Sequence, residues 1–82
     1  MLNLQALEYR GAHRLWLRFN DGAEGEVDLA GHLEGPVFVP LRDPAVFATA
    51  RIDPEIRTVT WSNGADMAPE FLYSLLASGV TA

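Results

Sequence analysis

The chain predicts an α+β fold: an antiparallel β-sheet, built from an N-terminal three-stranded meander plus a second hairpin, with two short helices packed on one face. Three observations carry this. Residues 13–19 (HRLWLRF) and 23–29 (AEGEVDL) alternate apolar with polar on either side of Asn20-Asp21-Gly22, the pattern of two half-buried strands and a tight turn. Residues 56–61 (IRTVTW) form a second run rich in β-branched residues. Only two segments, opened by Asp43-Pro44 and by Pro69-Glu70, carry helix-start chemistry. Strands with few helices and short turns give a sheet covered on one side.

The elements follow in order. Residues 4–10 (LQALEYR) read as the first strand, and Gly11-Ala12 as a turn into the second. The register of the next hairpin can be worked out on paper. A two-residue Asp-Gly turn would set Leu17 against Glu26 and Trp16 against Val27, apolar against charged on both faces. A three-residue turn with Gly22 in the left-handed region pairs Phe19 with Ala23, Leu17 with Gly25 and Leu15 with Val27. One face is then apolar, and the other pairs Arg18 with Glu24, Trp16 with Glu26 and Arg14 with Asp28. Each opposite-charge pair is worth about 0.2–1 kcal/mol. The second register satisfies both faces.

Residues 30–42 (AGHLEGPVFVPLR) read as one helical turn near Ala30–Leu33 and then an extended connector, anchored in the core by Val37, Phe38 and Leu41. Asp43 caps a short helix over residues 44–49, with Val46 and Phe47 on its apolar face. Residues 50–53 and 56–61 form the second hairpin around Pro54-Glu55. The second helix runs over residues 69–78, with Phe71, Leu72, Leu75 and Leu76 as its stripe and Gly79 as its stop. Val80-Thr81-Ala82 reads as a loose tail.

Length and composition narrow the function. The 82 residues are one domain spanning 1–82, 49 % hydrophobic and 21 % charged, as a folded protein should be. Cysteine is absent, which removes disulfides, thiolate metal sites and cysteine nucleophiles and fits a cytoplasmic location. No targeting segment or membrane-length apolar run is present, so no membrane association is expected. The net charge is −5, and all six basic residues are dispersed arginines. Duplex binding draws much of its affinity from phosphate neutralisation, so no direct nucleic-acid binding is expected, and a basic protein is the easier partner.

Candidate chemistry is sparse. Asn63, Asp66 and Glu70 beside Trp61 form a candidate polar cluster that could bind a cation or act as acid and base. Each also has a structural explanation. Asn63-Gly64 suits a turn, Asp66 a helix cap or the positive helix end, Pro69 and Glu70 a first helical turn, and Trp61 the core. His13 and His32 lack paired ligand spacing. Ser62, Ser74 and Ser78 lack a nucleophile-elbow context, and there is no phosphate loop. No catalytic residue, metal site or cofactor is assigned. The outer sheet face, with Arg14, Trp16, Arg18 and Glu26, is the candidate interaction surface, since Trp and Arg are enriched at interface hot spots.

Several blocks together resemble a small bacterial family of unknown function, DUF2442. They are Phe19-Asn20-Asp21-Gly22, Val27-Asp28-Leu29, Leu41-Arg42-Asp43-Pro44 with Phe47, and Trp61-Ser62-Asn63-Gly64-Ala65-Asp66 leading to Pro69-Glu70 and Leu72-Tyr73. The resemblance spans residues 4–77, and the Trp-x-Asn-Gly-Ala-Asp block is its most specific part. Ser62 departs from the pattern, where proline is more usual. The resemblance implies an α+β fold with an antiparallel sheet and no established activity. It also implies members that stand alone or precede a helix-turn-helix domain, some beside a small protein in pairs like toxin–antitoxin systems. This chain has no room after its second helix for such a DNA-binding domain. The expectation is a non-enzymatic protein-interaction or regulatory module, antitoxin-like, with an unidentified protein partner or a homo-oligomer. The alternative is a small-molecule or metal-dependent activity at the Trp61–Glu70 loop.

Overall fold

The computed structural model describes residues 1–79, so the expected loose tail, Val80–Ala82, falls outside the described residues. Strands β1 (Leu4–Tyr9), β2 (Arg14–Phe19) and β3 (Glu24–Asp28) form an antiparallel meander in the order β1-β2-β3. Strands β4 (Arg51–Ile52) and β5 (Val59–Thr60) form a second, two-stranded sheet. Helix α1 (Pro44–Phe47) lies between the sheets in sequence, and helix α2 (Pro69–Gly79) packs against β3.

The β2–β3 register is the one that satisfies both faces: Arg14 opposite Asp28, Leu15 opposite Val27, Trp16 opposite Glu26, Leu17 opposite Gly25 and Arg18 opposite Glu24. Its turn is closed by Phe19 N donating to Ala23 O (2.8 Å) and Gly22 N donating to Phe19 O (3.0 Å). Gly22 sits at φ +92°, a region closed to most side chains. The Asp21 carboxylate accepts from Ala23 N at 2.9 Å. Between β1 and β2 the register slips at Leu4/Ala6, a bulge that bends the start of β1.

The inner face of β2 is the floor of the core: Leu15, Leu17 and Phe19 are fully buried. Leu29, Leu33, Leu41, Phe47, Val59, Trp61 and Leu72 close over it. Gly25 lets α2 approach, since a Cβ there would meet Leu76 Cδ1 at 2.5 Å.

Four expectations are corrected. The connector is not extended: Val39–Arg42 is a 3-10 turn, because Pro40 stands among its first residues, where no N–H is required. Of the three anchors only Leu41 is fully buried; Phe38 is partly so, and Val37 is exposed on the outside of the bend. Ile56 does not open a strand. The Asp53 carboxylate accepts from Glu55 N (2.7 Å) and Ile56 N (3.2 Å), drawing Ile56 into the turn and leaving its side chain exposed. On α2, Phe71 lies off the buried stripe against the His32 ring, and Tyr73 takes its place by packing on Phe19.

Candidate functional site

The outer face of the meander brings the candidate interaction residues together. Alternation points Leu15, Leu17 and Val27 inward, so Arg14, Trp16, Arg18, Glu24, Glu26 and Asp28 project outward. Trp16 is half-buried at the centre. The guanidinium carbon of Arg18 lies 5.8 Å from its ring centroid and that of Arg10 lies 5.9 Å away, so two cations stack on one indole. Arg14 does not pair with Asp28 directly opposite. It reaches diagonally to Glu26 at 3.9 Å, with both side chains about half exposed. Exposed pairs of this kind contribute little stability.

Arg10 and Glu8 belong to this face and were not expected there. Glu8 lies opposite Trp16 and holds Arg10 at 3.7 Å. The alternation of Glu8 and Arg10 in the first strand was a usable signal, but it could not be assigned to a face before the β1 register was known.

The Trp61–Glu70 segment has a different character. Trp61 N donates to Ala65 O (2.9 Å) and Gly64 N donates to Trp61 O (2.9 Å), with Gly64 at φ +88°. Ala65 N donates to Asn63 Oδ1 at 3.1 Å. This repeats the Phe19–Ala23 turn bond for bond, with Asn63 standing where Asp21 stands. Asn63 Nδ2 then donates to Val37 O at 3.0 Å, so both ends of the amide are engaged. Trp61 is buried and donates its indole N–H to Phe47 O at 3.0 Å. Thr58 and Thr60 hydroxyls donate to Met67 O (2.6 Å) and Ala65 O (3.0 Å).

Asp66 is not the cap of α2. It pairs with Thr60 across an antiparallel bridge, which holds its backbone extended, and the first helical bond runs from Leu72 N to Ala68 O. Asp66 and Glu70 are both exposed. Among the described residues no group of three His, Cys, Asp or Glu side chains is placed to hold a metal ion. His13 faces the core margin, with Nε2 at 2.8 Å from Arg42 O and its ring edge-on to Phe47. One contact was missed in the sequence: Tyr73 OH donates to Asp21 Oδ2 at 2.7 Å, tying α2 to the first turn. No helix among the described residues is long and apolar enough to cross a membrane.

The sequence profile of the family described as a protein of unknown function, DUF2442, matches residues 4–77. The chain belongs to the DUF2442 family. No curated protein matches it. The crystal structure of a "Putative DNA Binding Protein" from Nitrosomonas europaea shares the fold of this DUF2442 domain, with a TM-score of 0.84 at 24 % identity. The match covers 99 % of this chain but 52 % of the Nitrosomonas chain, so the domain spans about half of that protein.

This likeness overturns the expectation of no nucleic-acid binding. That expectation weighed the net charge of one domain. The net charge of one domain does not decide what a longer protein that contains the fold, such as the Nitrosomonas one, binds.

Proposed function

We propose that this DUF2442 domain is a non-enzymatic protein-interaction module of a bacterial regulatory system, antitoxin-like in role and acting in the cytoplasm. Its contact surface is the outer face of the meander. The observation that carries this reading is Trp16, an indole left half-exposed on a charged sheet face and stacked by Arg10 and Arg18. Trp and Arg are the side chains most often found as interface anchors. Stacking fixes their rotamers in advance, which lowers the entropy lost on binding.

The test is affinity capture from native lysate by the wild type and by Trp16→Glu, each first shown to be folded by circular dichroism. A protein recovered by the wild type and lost by the variant supports the assignment. Identical recovery by both removes the face from the account.

The likeness to half of the Nitrosomonas "Putative DNA Binding Protein" favours a second reading, in which the domain serves a protein that engages DNA. Titration of a labelled duplex at several salt concentrations tests direct contact. Affinity that falls linearly on a log–log plot against salt supports it, and a response independent of salt removes it.

A further inference from the structure

We propose that the outer face of the meander is the contact between two copies of this chain, packed sheet on sheet about a two-fold axis that runs parallel to the strands between β2 and β3. This rests on the reading of that face as an interaction surface, and it names the occupant.

The argument comes from charge and register. On this face β2 presents Arg14, Trp16 and Arg18, and β3 presents Glu24, Glu26 and Asp28. The register places them in level rows: Arg14 beside Asp28, Trp16 beside Glu26, Arg18 beside Glu24. The β2–β3 part of the face is therefore two parallel stripes, one cationic around an indole and one anionic, and β1 with Glu8 and Arg10 flanks the cationic one. A half-turn about an axis along the strands, midway between the stripes, lays each β2 over the β3 of the second copy at the same level. Arg14 then meets Asp28 and Arg18 meets Glu24 across the interface, each contact occurring twice. The two Trp16 rings lie on either side of the axis, each over a Glu26.

The competing arrangements are disfavoured by the same charges. A two-fold perpendicular to the strands sets β2 over β2, with Arg14 against Arg18, and β3 over β3, with Glu24 against Asp28. Every charged contact there is between like charges. Antiparallel pairing of two β3 edges about Glu26 sets the acidic outward residues Glu24, Glu26 and Asp28 against themselves, and like charges directly opposite disfavour such an edge pairing. Face-to-face sheets keep their strands within about 30° of each other, so the rows stay matched at the middle of the contact, the level of Trp16.

The contact is small. Two overlapping strands at ~4.8 Å and five residues at ~3.3 Å give a footprint of roughly 160 Å², well below the ~800 Å² per partner of a standard interface. The dimer is accordingly weak and forms at concentrations on the order of 0.1–1 mM.

The experiment is sedimentation of the full chain over that range at low salt, with two charge variants. The acidic variant carries Arg14→Glu and Arg18→Glu; the basic variant carries Glu24→Arg and Asp28→Arg. The wild type gains average mass toward twice that of one chain. Each variant alone stays monomeric, because its stripes repel. An equimolar mixture dimerises, because each stripe of one variant then faces an opposite stripe of the other. In the wild type the Trp16 indole N–H resonance moves with concentration while that of buried Trp61 does not. Trp16→Glu serves as a second variant should a charge swap unfold the domain, and it loses the mass gain.

A wild type that stays monomeric throughout overturns the proposal. So does a dimer that survives in each charge variant, or a mixture that stays monomeric with both components folded. A monomeric wild type whose captured partner is still lost with Trp16→Glu overturns the dimer and leaves the interaction module standing.

Discussion

Replacing Asn63 by Asp separates the two jobs of one side chain. Asn63 Oδ1 accepts from Ala65 N at 3.1 Å, and Nδ2 donates to Val37 O at 3.0 Å. Asp21 does the first job at the matching place of the other turn, so a carboxylate is fully competent there. The substitution therefore keeps the turn and deletes the tether to the 35–39 bend. It also sets a carboxylate oxygen against the Val37 carbonyl. A lost hydrogen bond costs about 0.5–1.5 kcal/mol, and oxygen–oxygen repulsion at an exposed site adds a fraction more, so the expected loss is about 1–2 kcal/mol. In a domain of this size each kcal/mol lowers Tm by about 4–8 °C. Protonating the new carboxyl restores a donor, so the deficit shrinks as pH falls through the carboxyl range near 4. The reciprocal Asp21→Asn keeps its acceptor for Ala23 N but loses the carboxylate oxygen that takes the Tyr73 hydroxyl. Thermal melts of the two variants at pH 7 and pH 4 are the assay. Asn63→Asp melting with the wild type at pH 7, or a deficit that does not change with pH, refutes the reasoning.

Other outcomes follow from the same bonds. Trp61→Phe leaves the Phe47 carbonyl without its indole donor and opens space beside a buried ring, so urea denaturation should show a loss of about 2–4 kcal/mol. Thr58→Val keeps the shape of a buried residue but orphans the Met67 carbonyl, and the same assay should show a loss of about 1–3 kcal/mol. The Asp21 carboxyl is held below its ordinary value of 3.8, first by the Ala23 N–H and then by the Tyr73 hydroxyl, while Tyr73 is pushed above 10.0 by the hydrogen bond it donates to Asp21 and by the charge of that carboxylate. A lowered acid stabilises the fold above 3.8 and loses that contribution as pH falls below it; a raised phenol stabilises below 10.0 and loses it as pH rises past. Tyr73→Phe should therefore abolish this alkaline loss and reduce, without removing, the acid one, as read from melts across pH.

The first hairpin was legible because its evidence is local. Gly22 demands one turn geometry, and only one register keeps Leu15, Leu17 and Val27 on one side while matching Arg18 to Glu24. The β1 register was not legible, since the bulge at Leu4/Ala6 leaves no turn signature, and Arg10 was missed with it. The prolines of residues 36–40 suggested an extended connector, yet a proline near the start of a 3-10 turn loses no bond. The rotation of α2 was hidden for a different reason. Helical spacing allows either Phe71 or Tyr73 to flank Leu72, and the choice falls to Tyr73 through its bond to Asp21, 52 residues away. Leu76 against Gly25 adds a second distant constraint.

The block most characteristic of the family resemblance is accounted for by folding. Trp61 spends its N–H on Phe47, Asn63 spans two loops, Gly64 supplies φ +88°, Ala65 is buried, and Asp66 pairs with Thr60. The same turn recurs at Phe19–Ala23 in the same chain, so its chemistry is that of a turn wherever it occurs. A residue pattern can thus be specific to a family without marking its site. The outer face shows the reverse. The side chains of Arg10, Trp16 and Arg18 stack on one another outside the core, and exposed ion pairs such as Arg14–Glu26 add little stability. Trp16 is half-exposed with two arginines stacked on it, and that is why the proposed contact is sought there and not at the more conspicuous motif.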